Sequence, residues 1–215
     1  MEEMNNPFRK AGIVLLVIGI LDIGAMIYCI ANKISYSSSF NIFAVIAGML
    51  LMKGSIKTAR VVRWLSAFFV IAFVLMVVLF PATMPIQLLV TQVKLNPVGM
   101  IGLYAFLFIF IGVLAWVYKQ LSSANALAAL DEAGYNTGKP KSALNAALGI
   151  LILIGTMIGF MFNSESAEKA RTLAKERYGE NYEYHLTSLK MSGNHGSAVV
   201  TAYNSEEIKN VKVKW

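Results

Sequence analysis

AGIVLLVIGILDIGAMIYCIA, residues 11–31, is a run of 21 residues holding one charge, Asp22. About 20 apolar residues in a helix cross a hydrocarbon core about 30 Å thick. The run therefore predicts a membrane-spanning helix. Further apolar stretches follow at residues 40–52, 61–80, 101–118 and 143–162. The last three are also long enough to cross. Residues 40–52 are not, unless Ser37, Ser38 and Ser39 before them, and Gly54, Ser55 and Ile56 after them, lengthen the helix. Snorkelling of Lys53 permits that extension. The short connectors and the lack of proline favour a hairpin with the first span over a re-entrant segment. The expected fold is a membrane all-α helical bundle of about five transmembrane helices, residues 1–162. A small C-terminal α+β domain, residues 163–215, follows it as a helix and a three-stranded antiparallel sheet.

Composition agrees. Apolar residues make up 57% of the chain and charged residues 14%, against roughly 25% charged in soluble domains. The net charge is +7, and the last 53 residues contribute little of it, with eight Lys/Arg against seven Asp/Glu. Membrane topology accounts for the basic excess. No nucleic-acid-binding pattern is present, and no nucleic-acid partner is expected. Cys29 is the single cysteine, so no intrachain disulfide forms, and Tyr28 before it does not suit a lipobox. Arg9 and Lys10 precede the first apolar run as in a signal peptide. That run is longer than a signal core and lacks an Ala-x-Ala site, so it reads as a retained span.

The expected partner surface is the lipid bilayer, and its orientation follows from the basic residues. With five crossings, Arg9, Lys10, Lys53, Lys57, Arg60, Arg63, Lys119, Lys139 and Lys141 share one side; Lys33 and Lys94 lie on the other. The positive-inside bias places the first side, and the N-terminus, in the cytoplasm of a cell (inner) membrane. The tail then lies outside, periplasmic or extracellular. If residues 40–52 do not cross, the tail moves to the cytoplasm. Between the third and fourth spans, Pro81, Pro85 and Pro97 bracket a mixed apolar and polar stretch. It predicts a short amphipathic helix, either lying in the interface or capping the bundle.

In the tail, Ala167, Ala170, Leu173, Ala174 and Tyr178 recur at helical spacing and Gly179 ends the helix. Tyr182, Tyr184 and Leu186 then alternate. Residues 192–196 turn, residues 198–203 form a second strand, and Val211, Val213 and Trp215 alternate with Lys212 and Lys214 in a third. About 50 residues give a thin core. The sheet is expected to rest on a partner, a second copy or the membrane part.

Few residues point to chemistry. Asp22 is the sharpest, because an acid inside a span is costly and faces the bundle interior. It suits either a packing lock or an ion or proton path. Gly155 and Gly159 form a GxxxG in the fifth span, and Ala44 and Gly48 a looser small-xxx-small pattern. Both read as close helix packing, within the chain or, for span five, with a partner. Lys53, Lys57 and Arg60 would share a face if the helix continued between spans two and three. With Arg63 they form the lipid-headgroup set. His185 and His195 are too few for a zinc site. No catalytic motif and no cofactor-binding motif is present. The leading expectation is a non-enzymatic membrane protein whose bundle anchors a C-terminal interaction domain for assembly or sensing. A small transporter or channel component using Asp22 is the alternative, and a lipid-handling enzyme a weaker third.

Overall fold

Glycine and proline set most element boundaries. The computed structural model describes residues 6–36, 40–193 and 195–215. Among the described residues eight α-helices run in chain order: α1 Arg9–Ala31, α2 Phe40–Met52, α3 Ile56–Leu79, α4 Ile86–Leu95, α5 Pro97–Leu121, α6 Ala124–Glu132, α7 Lys141–Phe162 and α8 Glu165–Tyr178. Three strands close the chain, β1 Glu183–Ser192, β2 His195–Tyr203 and β3 Ile208–Lys214. The protein is mostly helical. Among the described residues, α1, α3, α5 and α7 have the length and apolarity to cross a membrane. Their apolar side chains are largely outward: Phe106 is 64% exposed and Phe160 77%. In water that surface would be costly, so the four helices suggest a membrane location.

The second segment stays short. Helix α2 has 13 residues and rises about 20 Å, less than a hydrocarbon core. Gly54, at φ 79°, breaks the backbone after it. Ser55 then caps α3, its Oγ accepting from the Thr58 amide at 3.4 Å. The helix does not continue from span two into span three, so Lys53, Lys57 and Arg60 do not form one helical stripe. Lys57 and Arg60 share α3, and Lys53 lies on the turn. Residues 37–39, expected to lengthen α2, lie outside the described residues.

Two compact units divide the chain: Met1–Ile71 with Phe110–Ala146, and Ala72–Ile109 with Ala147–Trp215. In the first, α1 and α2 pack antiparallel with backbones almost touching. A Cβ added at Gly48 would lie 2.7 Å from the Leu16 nitrogen and 2.8 Å from the Gly12 oxygen. The Asn6 amide closes the hairpin base, donating to the Leu51 and Met52 carbonyls at 2.9 Å each. The core around this contact joins Phe8, Ala11 and Leu15 to Leu51, Val62, Val117 and Leu121.

In the second unit, Asn96 ends α4 and starts α5: its side-chain oxygen accepts from the Gly99 amide at 3.0 Å. Proline suits a first helical position, so α5 begins at Pro97, ahead of the strictly apolar run. Ser164 caps α8 by accepting from the Ala167 amide, and Gly179, at φ 89°, ends it. The sheet has order β1-β2-β3, antiparallel throughout. The pairing slips once, between Leu186 and Ser188. Ala167, Ala170 and Ala174 of α8 pack on Leu186, Ala198, Val200, Val211 and Val213. Small alanines let the helix lie close on one sheet face. Strands β2 and β3 start three residues earlier than the alternation alone indicates.

Candidate functional site

Asp22 is half-buried on α1 and accepts a hydrogen bond from the Tyr36 hydroxyl, which also reaches the Asp22 carbonyl at 3.2 Å. The α1–α2 register explains the meeting. Gly48 faces Gly12 and Leu16, and from there to Phe40 α2 rises about 12 Å. Its start is then level with Asp22. The Tyr36 hydroxyl thus joins the chain after α1 to the middle of that helix.

Ala44 is buried, and it and Gly48 belong to the α1–α2 side of the first unit. The other small-residue pair differs: a Cβ added at Gly155 or Gly159 would meet nothing within 4 Å. Of the four cations in the headgroup set, Lys53, Lys57 and Arg60 are exposed. Arg60 lies 4.9 Å over the Tyr135 ring. Arg63 is only 7% exposed. Its Nε donates to Ser122 Oγ at 3.0 Å, and its Nη2 to the Thr137 and Gly138 carbonyls at 2.9 and 3.0 Å. A buried guanidinium is tolerated when its donors are satisfied. Arg63 therefore ties α3 to the end of α5 and the loop before α7, and its position at the border residue Trp64 hid this in the sequence. Trp64 makes a parallel tie, donating to Ser142 Oγ at 2.9 Å.

In the second unit, α4 meets the tail at the β2–β3 turn. Thr91 Oγ1 donates to the Asn204 carbonyl at 3.0 Å, and Lys94 Nζ to the Ser205 carbonyl at 3.2 Å. The Gln87 amide, oriented with its nitrogen toward the acid, donates to the Glu183 carboxylate. Gln87, Thr91 and Lys94 recur at i, i+4 and i+7, so their common face was legible in the sequence and its partner was not. Tyr203 donates to Glu183 at 2.6 Å. Burial, then this bond, pushes the Tyr203 phenol above its ordinary range. Glu207 accepts from Tyr182 and Lys209. These bonds pull its carboxyl down, and the bond to Glu207 first, then that to Tyr182, pushes the Lys209 amine up to about 12.

The sheet face opposite α8 is different at its other end. Register places Lys190 and Lys214 on either side of Ser197, and Ser188 and Lys212 on either side of Val199. The three lysines are exposed, and with the serines they line a shallow concavity of about 310 Å³. Gly196 lies at this end under the Trp215 ring, which an added Cβ would approach to 2.3 Å and would have to displace. His195 is exposed, whereas His185 is half-buried and edge-on to Phe162 at 5.3 Å. Burial, and then the nearby Arg171 charge, hold the His185 imidazole below its ordinary pKa. Among the described residues, no group of three His, Cys, Asp or Glu could hold a metal ion.

No family model, curated protein or solved structure matches this chain.

Proposed function

We propose that this chain is a non-enzymatic, multi-pass protein of the cell (inner) membrane. Residues 1–162 form the anchoring bundle. Residues 163–215 form a soluble interaction domain, outside the cytoplasm, that docks an acidic protein partner in assembly or sensing. In this reading the apolar segment 40–52, with the residues flanking it, completes a fifth crossing and the N-terminus is cytoplasmic. The lysine-serine sheet face carries the proposal. It gathers Lys190, Lys212 and Lys214 with no acid beside them in the register. The opposite end of the sheet is occupied by α4, so the open end is the one free to meet a partner. Such a patch steers acidic surfaces and sets specificity. The bare strip at Gly155 and Gly159 is a secondary contact, for a partner's span or a second copy.

The test places a photo-crosslinking residue at Val199 in the full chain in cells. The reading expects one identified protein adduct that disappears when Lys190, Lys212 and Lys214 are changed to Glu. An adduct unaffected by that reversal, or none, would count against it.

A second reading, a small transporter or channel component, is supported by Asp22 lying level with the start of a short helix. Interrupted helices at membrane depth mark transport sites. It expects that Asp22→Asn keeps the melting temperature but abolishes proton uptake in proteoliposomes. Equal uptake by the variant and the native chain would remove it.

A further inference from the structure

A groove opens on the first unit between α2 and α3. Ile46 and Leu50 form one wall; Val61, Leu65 and Phe69 form the other; its volume is about 490 Å³. That size suits a small ligand or a single lipid chain. The walls are apolar for most of their length. The charge is at one end, where Lys57 and Thr58 line the groove beside the α2–α3 turn, and Ser66 is a further polar residue along its α3 wall. From Lys57 to Phe69 the groove follows α3 for about 18 Å. The groove thus has a cationic mouth and a long apolar body.

Among the described residues, Lys57 takes part in no ion pair. No Asp or Glu occurs between Asp22 and Asp131, a stretch that contains Lys33, Lys53, Lys57, Arg60, Arg63, Lys94 and Lys119. Among the described residues, the three ion pairs all lie in the C-terminal tail. Lys57 is exposed, so its ammonium is available. Thr58 Oγ1 lies 2.9 Å from Ser55 Oγ, which leaves the hydroxyl pair with further acceptor capacity and one proton to donate.

We infer that this groove is a site for one anionic phospholipid of the surrounding bilayer. Its phosphate is held by Lys57 and Thr58, and one acyl chain lies between α2 and α3. A phosphate prefers a charge-assisted donor, and lysine binds it as a point charge. Lys53 and Arg60, exposed on the same turn and the same helix, add long-range attraction for an anionic headgroup. A zwitterionic lipid offers the same chains but carries its own cation near the phosphate, so the site favours the anionic one.

The purified full chain in nanodiscs of equal parts phosphatidylglycerol and phosphatidylcholine tests this by native mass spectrometry. The expected result is one phosphatidylglycerol retained per chain, with a preference of roughly tenfold, the scale of one charge-assisted hydrogen bond. Lys57→Gln should remove most of that preference. Val61→Trp fills the groove from a residue already 54% exposed, so it tests the acyl site without disturbing the core. It should lower retention of both lipids. Equal retention of the two lipids by the native chain, an unchanged preference in Lys57→Gln, or unchanged retention in Val61→Trp would each overturn the site.

Discussion

His185 shows how one side chain couples the tail to pH. Its ring lies edge-on to Phe162, and burial with the Arg171 charge favours the neutral imidazole. A depressed folded pKa means that the unfolded chain binds the proton more readily. The stabilisation is therefore complete above the unfolded value of about 6.5 and is lost as pH falls toward the folded value. The tail should melt at lower temperature at pH 5 than at pH 7.5, and His185→Phe should flatten that dependence. Tail-specific hydrogen exchange at the two pH values checks it. A slope preserved in His185→Phe would assign the effect to another group.

Helix packing separates two patterns that look alike as strings. Gly48 abuts the backbone of Leu16 and Gly12, which cannot give way without parting α1 from α2. Gly155 meets nothing. Gly48→Ala should destabilise the chain by about 1–3 kcal/mol through overpacking. Gly155→Ala should be neutral, or stabilising by up to about 1 kcal/mol through helix propensity. Melting temperatures in one detergent compare them, and similar losses for both would sink the distinction. Spacing in the sequence marked both pairs as close-approach sites, because small residues at i and i+4 are all that spacing can record. Which pair meets a neighbour depends on the angle and register of another helix.

Topology is a property of the whole molecule. Among the described residues four helices are long and apolar enough to cross a membrane, and α2 falls short of them. A phosphatase active only outside the cytoplasm and, separately, a fluorescent protein active only inside, fused after Trp215, read the parity of crossings. The proposed five crossings expect phosphatase activity without fluorescence. Fluorescence without phosphatase activity would make residues 40–52 re-entrant, place the tail in the cytoplasm and strengthen the transport reading of Asp22. It would also deprive the lysine-serine face of an extracytoplasmic partner.

Much of the architecture is legible in the sequence. Apolar length and charge depletion identify the four long helices, since burial in hydrocarbon is a local, additive property of the side chains. Alternation at Val211, Lys212, Val213 and Lys214 identifies a strand with one basic face. Ser164 and Gly179 bound α8 through chemistry that acts within a few residues. The rest depends on elements far apart in sequence. Lys190 joins Lys212 and Lys214 only through the register of three strands. Arg63 turns inward because Ser122, Thr137 and Gly138 supply acceptors from more than 50 positions away. The groove at Lys57 exists because Gly54 and Ser55 break the helix and let α2 and α3 diverge. Hydropathy and periodicity report what a residue prefers; the long-range packing supplies the neighbours that satisfy the preference.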